Sequence, residues 1–413
     1  MKRGEQFDQS DQYLFVYLNE VYVGKIQRLP DDRTVFSFAP SYEEHQNRPL
    51  LSLSFKTANG GLIRDTQLYS QKLHPFFSNL LPEGHLRTYL SEKLEIKPQR
   101  EFFLLAALGH DLPGAVRVEP SFDLAASTES DQSDASKLFD RAPIRFSLAG
   151  VQLKFSAILE SRGRLTIPAK GQGGAWIVKL PAGNFDNVPD AEFAMMMLAQ
   201  SAGLDVPESK LVPVSSIKGL PAEFASKLTK AFAVRRFDRD PQGKRIHIED
   251  FAQIFGQYPH EKYDKRSYAN IAEVLWVECG EGSLVEFVKR LVFNLAIGNG
   301  DMHLKNWSVL YADDRQPRLS PAYDLVPTIA FMPAQSLGLK LGGIRVFKDV
   351  ELEHFKRLAA KARVPERVVT IAVREAVQSI KTAWRATRND LPLSAYIVQT
   401  IEKHMKSLAL FRP

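Results

Sequence analysis

Alternating apolar and polar positions near the start of the chain predict a β-meander. Residues 13–18, 21–26 and 35–38 are rich in the aromatic and β-branched side chains that favour strands. Turn-forming residues separate these runs at positions 19–20 and 30–32. The first part of the chain is therefore predicted to be a small antiparallel sheet.

Farther along, the apolar spacing changes to that of helices. Leu86, Leu90 and Leu94 recur at four-residue intervals, and a second helix is predicted over residues 100–108, ended by Gly109. Residues 121–140 are mostly small and polar and have little to bury, which predicts a flexible linker.

Strand-like runs return after the linker, at residues 144–159, 175–181 and 231–239. Between the last two runs, a helix is predicted from Asp190 to Gly203. Its apolar face is predicted to contain Phe193, Met196 and Met197.

The second half of the chain is mainly helical by pattern. One face of a long helix is marked by apolar residues at i, i+3, i+4, i+7 and i+11, namely Leu284, Phe287, Val288, Leu291 and Leu295. Two amphipathic helices are predicted in the tail, over residues 365–384 and 394–410. The predicted fold class is α+β.

Four segments follow from this pattern. A β-rich N-terminal module with helices spans residues 1–120, and a flexible linker spans residues 121–142. A small β-rich lobe spans residues 143–240, and a helical C-terminal lobe spans residues 241–413.

Composition narrows the functional classes. The chain has 413 residues, a net charge of +6 and one cysteine, Cys279. No stretch approaches the roughly 18 apolar residues of a membrane span. The N-terminus lacks the apolar core of a secretory signal, so a cytoplasmic location is expected. No dense Lys/Arg tract is present, which disfavours direct DNA reading by this chain alone.

The densest candidate chemistry lies directly after the long predicted helix, in residues 298–306. Asp301, Lys305 and Asn306 fall within six residues, and Asp324 follows eighteen residues later. A carboxylate such as Asp301 can accept a proton from a hydroxyl, and Lys305 could neutralise a phosphoryl group. Asn306 and Asp324 offer the oxygen ligands that Mg²⁺ prefers. The order Asp, Asn, Asp is that of a protein-kinase catalytic loop and metal-binding loop.

Two upstream features could hold phosphates. Lys179 ends an apolar strand, where a buried ammonium needs a partner such as a phosphate or Glu192 on the next helix. Residues 147–154 form a small-residue turn that could cover phosphates, although Gly-Lys-Ser/Thr of a Walker motif is absent.

The chain resembles the HipA-type serine/threonine kinase toxins of bacterial toxin–antitoxin systems. The resemblance runs in order over nearly the whole chain and is carried by residues 79–84, 109–116, 147–154, 176–181, 234–239, 298–308 and 321–325. It implies a two-lobed protein-kinase-like fold that uses ATP and Mg²⁺. One departure is Arg235, which stands where some relatives have an acidic residue near the adenine.

The resemblance also implies residue roles. Asp301 would be the catalytic base, assisted by Lys305, and Asn306 and Asp324 would be the metal ligands. Ser147 would be an autophosphorylation site that shuts off ATP binding. The nucleotide site would be formed by Ala149, Gly150, Val151, Gln152, Lys154, Lys179, Arg236, Phe237, His303, Asn306 and Asp324.

Members of this family are neutralised by a helix-turn-helix antitoxin of the HipB type, which binds operator DNA. DNA contact by this chain would then be mainly indirect. The implied protein substrate is an aminoacyl-tRNA ligase, with the glutamyl enzyme as first candidate, and the implied outcome is blocked translation, growth arrest and persistence.

Three other functions remain open from the residues alone. A metal-dependent phosphohydrolase could use Asp301 and His303, but two metals need further ligands, and only His354 and His404 follow. A kinase-like scaffold could act as a co-repressor beside an antitoxin. A small-molecule or lipid kinase could share the same catalytic loop.

Overall fold

The strands of this computed structural model form three antiparallel sheets within the described part of the chain. The described residues are 12–64, 67–121, 154–160, 164–168, 174–181, 187–220, 229–313, 315–332 and 336–412. The predicted linker lies almost wholly outside them, as do Ser147 and residues 149–152.

The N-terminal module is a five-stranded sheet with short helices, and it confirms the predicted meander. Its strand order is β4-β3-β2-β1-β5. Its elements are β1 (Gln12–Leu18), β2 (Val21–Arg28), β3 (Arg33–Phe38), α1 (Pro40–Glu44), β4 (Tyr69–Ser70), α2 (Pro75–Ser78), α3 (Gly84–Lys93), α4 (Glu101–Leu108) and β5 (Val116–Pro120). The predicted apolar face of α3 is buried, but Leu86 and Leu90 join the core of the second sheet.

The second sheet belongs to the small lobe. It comprises β6 (Lys154–Leu159), β7 (Leu165–Thr166), β8 (Trp176–Lys179), β9 (Ser209–Pro213) and β10 (Lys230–Arg235), in the order β7-β6-β8-β10-β9. Lys154 and Lys179 are directly opposite each other on β6 and β8. Residues paired in this way project from the same face of a sheet, so both ammonium groups lie on one side.

Helix α5 (Val188–Ser201) follows β8 where the sequence predicts a helix. Its predicted apolar face is partly wrong, because Met197 is 38% exposed while Met196 is buried. The buried stripe instead includes Ala191, Met195 and Leu198. The helix is apolar on most of its circumference, so its periodicity marks the buried side only weakly.

The C-terminal lobe is helical around a three-stranded sheet ordered β11-β12-β13. Its elements are β11 (His247–Asp250), α6 (Phe251–Ile254), α7 (Tyr268–Val274), α8 (Gly280–Ile297), β12 (Ser308–Tyr311), β13 (Pro317–Leu319), α9 (Leu352–Ala362), α10 (Glu366–Thr387) and α11 (Ala395–Ser407). The long helix and both tail helices are thereby confirmed.

Helix α8 is the central element of this lobe. All five apolar residues that predicted it are at most 1% exposed. Burial of a side chain such as Leu or Phe stabilises a fold by about 1.5–3 kcal/mol. The end of α8, from which the candidate catalytic loop leaves, is therefore fixed by the core.

Candidate active site

The candidate catalytic loop begins at a sharp turn at the end of α8. Gly298 has a left-handed backbone (φ +69°) and caps the helix. A Cβ at this position would meet the Ile329 side chain at 2.4 Å, so only glycine fits without rearrangement. The turn redirects the chain at once into residues 299–306.

Asn299 connects the three parts of the site. Its Oδ1 accepts a hydrogen bond from Asp301 N at 3.0 Å. Its Nδ2 donates to Asn294 Oδ1 at 2.8 Å and to the Asp324 carbonyl at 3.1 Å. Asn299 is 1% exposed, so this amide is a fixed brace between the loop, α8 and the Asp324 segment. The sequence pattern does not predict this bracing role.

Asp301 lies at the open side of the site, with 51% of its side chain exposed. Its Oδ1 accepts a hydrogen bond from the Tyr263 hydroxyl. Partial removal of the carboxylate from water raises the pKa of Asp301, although the Tyr263 hydrogen bond and the Lys262 charge oppose this shift. A carboxylate with a raised pKa is a stronger base for a substrate hydroxyl.

Asn306 and Asp324 line the same cavity, as the sequence predicts for two ligands at adjacent strand ends. Asn306 Nδ2 donates to the Asp301 carbonyl at 2.7 Å, and among the described residues no donor contacts its Oδ1. Burial raises the pKa of Asp324, but the charges of Lys179 and Lys154 outweigh it and lower the pKa to about 2. An ionised carboxylate and an amide oxygen suit Mg²⁺, which takes few protein ligands.

Lys179 is 5% exposed and lies between two carboxylates. Its Nζ donates to Glu192 Oε1 at 2.5 Å and also to Asp324 Oδ1. The predicted contact with Glu192 is therefore confirmed. Burial lowers the pKa of Lys179, but the two carboxylates outweigh this effect and raise it, so the ammonium stays charged.

Lys154 is the second cation on this face of the sheet. Burial lowers its pKa to about 8, with Lys179 acting in the same direction and Asp324 against it. Lys154 and Lys179 bring two ammonium groups to one face of the sheet, where they could bind phosphates, while Asp324 and Glu192 are the carboxylates that neutralise Lys179.

His303 is neutral and buried behind Asp301. Its Nε2 is 3.8 Å from Asp301 Oδ1, and its ring packs edge-on against Tyr263. Burial and the charge of Lys262 lower its pKa to about 3. Its predicted contact with a nucleotide stays a prediction.

Lys305 points away from the cleft toward the N-terminal module. Its Nζ donates to the Asn79 carbonyl at 2.9 Å and to Asn79 Oδ1 at 3.0 Å. It also lies 3.3 Å from Glu83 Oε1 and 3.4 Å from Asp250 Oδ2. A role in neutralising a phosphoryl group would require this ammonium to leave its partners.

Arg236 and Phe237 lie at different depths. The Arg236 side chain is fully buried and donates to Asp238 at 2.7 and 2.8 Å, to Asp111 at 3.4 Å and to Ser156 at 3.2 Å. Its backbone N–H also donates to the Ala175 carbonyl at 2.8 Å. Contact of this side chain with a nucleotide would require it to leave its partners. Phe237 is half-buried and packs 5.6 Å from Tyr323, next to Asp324.

The remaining histidines do not complete a two-metal site. His404 Nε2 bonds the Leu295 carbonyl at 2.8 Å, and His354 Nδ1 accepts from Glu351 N at 3.1 Å. Within the described ranges, no group of three or more His, Cys, Asp or Glu residues could hold a metal ion. Both histidines are instead bonded to backbone groups.

Three residues that contact the candidate site, Tyr263, Asn299 and Glu83, are not predicted by the sequence pattern. Tyr263 lies 38 residues before Asp301, whose carboxylate it contacts, and no motif surrounds it. Glu83 falls in a segment that resembles the family but whose role its residues do not reveal.

In the described part of the chain, no helix is both long and apolar enough to span a membrane.

Two family models match most of the chain. Residues 14–119 match the family model for the HipA N-terminal domain, and residues 146–384, more than half of the chain, match that for the HipA-like C-terminal domain. A Sinorhizobium fredii protein named "Putative kinase Y4dM" is 45% identical over 94% of this chain and 95% of its own length.

Two further similarities come from Shewanella oneidensis. Its serine/threonine-protein kinase toxin HipA is 27% identical over 76% of this chain and 74% of its own length. The solved complex of HipA, HipB and operator DNA contains a chain that matches with a TM-score of 0.72, at 22% identity and over 96% of both chains, which confirms the predicted fold. This chain is therefore a member of the HipA family of kinases.

Proposed function

We propose that this chain is an ATP- and Mg²⁺-dependent serine/threonine protein kinase that acts in the cytoplasm as the toxin of a toxin–antitoxin module. The observation that carries the proposal is the linkage of four groups around one cleft. Asn299 joins Asp301 to the Asp324 segment, Asn306 and Asp324 line one cavity, and Asp324 is paired with Lys179.

Each group has a chemical task in phosphoryl transfer. When bound, Mg²⁺ would neutralise phosphate charge and ATP would supply the phosphoryl group. Lys179 and Lys154 would hold phosphates, while Asn306 and Asp324 would hold the metal. Asp301 would orient a serine or threonine hydroxyl and accept its proton.

The biological role rests on family membership. A HipA from Shewanella oneidensis has been solved together with HipB and operator DNA, which supports a HipB-like helix-turn-helix antitoxin as partner here. The proposed substrate is an aminoacyl-tRNA ligase, first of all the glutamyl enzyme. Its phosphorylation would block translation and cause growth arrest or persistence.

Autophosphorylation at Ser147 would switch the kinase off. Residues 149–152 and Lys154 would cover the nucleotide phosphates. A dianionic phosphate on Ser147 would be repelled by the phosphates of ATP. Ser147 lies outside the described residues, and its proposed role is supported by its position in the sequence seven residues before Lys154 and by the resemblance to the family.

The test is phosphate transfer from radioactive ATP with Mg²⁺, using purified protein and candidate ligases. Asp301→Ala should lower transfer at least about 100-fold, the usual contribution of a general base. ATP affinity, measured by calorimetry, should be nearly unchanged. The matched control is Asp264→Ala, which removes an exposed aspartate that directly follows Tyr263 in the sequence.

The same reaction separates the alternatives. Label on protein, with Ser147 among the mapped phosphopeptides, supports the full proposal. Label on lipid or metabolite would indicate a different kinase class. Wild-type protein that binds an antitoxin but transfers no phosphate would be a co-repressor scaffold, and full transfer by Asp301→Ala would overturn the role given to Asp301.

A further inference from the structure

The N-terminal module reaches directly into the region behind the candidate catalytic loop. Residues 79–83 of that module contact Lys305, which lies one residue before Asn306. Lys305 is 8% exposed, and three of its four close oxygen partners come from Asn79 and Glu83. Residues 79–83 belong to a segment that resembles the family, but the proposed phosphoryl transfer gives them no role.

Glu83 bridges the two segments that flank Asp301. Its Oε2 accepts from Lys262 Nζ at 3.0 Å, and its Oε1 lies 3.3 Å from Lys305 Nζ, an ion pair without hydrogen-bond geometry. Lys262 precedes Tyr263, whose hydroxyl contacts Asp301. The Lys262 carbonyl also accepts from Leu304 N at 3.1 Å, so both arms of the bridge end beside Asp301.

The charges around Glu83 make this bridge hard to replace. Its side chain is 12% exposed, and those of Lys262 and Lys305 are 11% and 5% exposed. Burial raises the pKa of Glu83, but the two lysines outweigh it and lower it, so the carboxylate is ionised near neutral pH. Without this carboxylate, Lys305 would keep Asp250 as an ion-pair partner, whereas Lys262 would have no other ion-pair partner among the described residues.

Asn79 adds a second, neutral connection. Its Nδ2 donates to the Pro75 carbonyl at 2.8 Å and to the Gln257 carbonyl at 2.7 Å, while its own oxygens hold Lys305. The module is thus anchored to the C-terminal lobe on both sides of the catalytic loop.

We propose that Glu83 is a positioning residue for phosphoryl transfer, which holds Asp301 and Asn306 in place through Lys262 and Lys305. The N-terminal module would then contribute directly to phosphoryl transfer by the kinase. This inference rests on the proposed kinase function, and its test requires an active wild-type protein.

The experiment compares Glu83→Gln with Glu101→Gln in the full chain. Glu101 is a matched control because it is also a buried carboxylate of this module, bonded to Leu73 N, Ser78 and Arg87 away from the cleft. Steady-state phosphate transfer from ATP to the aminoacyl-tRNA ligase gives kcat and the KM for ATP. The midpoint of thermal unfolding reports whether each variant is folded.

Glu83→Gln should lower kcat about 10- to 100-fold, because small misplacements of reacting groups cost rates of this size. The KM for ATP should change less than about threefold, since Lys179 and Asp324 are untouched. Glu101→Gln should keep its kcat at temperatures where it is folded. Glu83→Asp, which keeps the charge, should recover part of the lost rate.

Several outcomes would overturn the inference. These are an unchanged kcat for Glu83→Gln, a loss confined to the KM for ATP, or an equal loss of kcat in folded Glu101→Gln. If Glu83→Gln does not fold, Lys262→Gln carries the same test, because it removes only one arm of the bridge. Inactive wild-type protein would count against the proposed function instead.

Discussion

At the scale of single residues, the candidate site is built from charged groups that neutralise one another. Lys179 is held between Glu192 and Asp324, so a buried cation and two carboxylates share one small volume. The residue types and their order along the chain predicted Asn306 and Asp324 as neighbours and Glu192 as a partner of Lys179, and the structure brings both pairs together. Tyr263 and Asn299 could not be predicted, because their value lies in contacts between distant segments rather than in their spacing.

Asp324→Asn tests the metal-binding role at this scale. Asp324 has a left-handed backbone (φ +53°), which asparagine tolerates better than alanine, and Glu192 would still neutralise Lys179. We expect the affinity for ATP with Mg²⁺ to fall at least about tenfold, with little change without the metal. Calorimetry with and without Mg²⁺ measures both, and an unchanged Mg²⁺ dependence would contradict the assignment.

At the scale of elements, β11 joins the N-terminal module to the C-terminal lobe. His247 and Glu249 lie two residues apart on this strand and both contact residues 51–53 of the module. His247 is fully buried, its Nε2 is 2.8 Å from the Leu51 carbonyl, and its ring stacks on Tyr311. The sequence pattern predicts neither β11 nor its contacts, since the strand is short and half polar.

Burial lowers the pKa of His247 to about 4, from 6.5 for the unperturbed group. The unfolded chain therefore binds this proton more readily than the folded one. The contribution of neutral His247 to stability is complete above pH 6.5 and is lost as the pH falls toward 4. At pH 5 the loss should be about 2 kcal/mol.

His247→Gln should remove most of this pH dependence. Urea unfolding at pH 7.5 and pH 5 would measure the difference, with His45→Gln as a control at an exposed histidine of the module. Equal pH dependence in His247→Gln and the wild type would exclude this origin.

At the scale of the whole molecule, the modules are joined by buried charge. Asp111 and Gly114 of the N-terminal module contact Arg236, Asp238 and Arg239 of the small lobe. In addition, Leu86 and Leu90 of α3 pack in the core of the second sheet. The predicted boundary near residue 120 thus separates segments of sequence that share buried contacts in space.

Asp238→Asn should destabilise both parts together. Asp238 accepts from Arg236 at 2.7 and 2.8 Å, from Arg239 at 2.9 Å and from Gly114 N at 2.8 Å. Loss of its charge leaves two buried guanidinium groups with one carboxylate, which costs about 3–5 kcal/mol for buried networks of this kind.

All four tryptophans lie beyond residue 120, so their fluorescence reports the kinase lobes, while hydrogen exchange over residues 12–121 reports the module. Both signals should move to lower temperature in Asp238→Asn, and neither in Asp313→Asn, a substitution in an exposed turn. A shift in only one signal would show that the two parts are not coupled through Asp238.

The sequence by itself determined the long helices, the N-terminal strands and the order of the polar residues along the chain. Apolar periodicity predicts α8 and the tail helices because the apolar residues of one buried stripe recur at helical spacing. The cluster from Asp301 to Asn306 indicates the candidate site because a group of polar residues between a buried helix and a buried strand is typical of active-site loops. Tertiary structure alone decided which segments meet. Lys305 shows this best, since its position in the loop suggested phosphate, whereas the fold surrounds its ammonium with Asn79, Glu83 and Asp250. A buried charge takes the partners that the fold brings near it, and these partners lie 55 to 226 residues away in sequence, beyond the range of any local pattern.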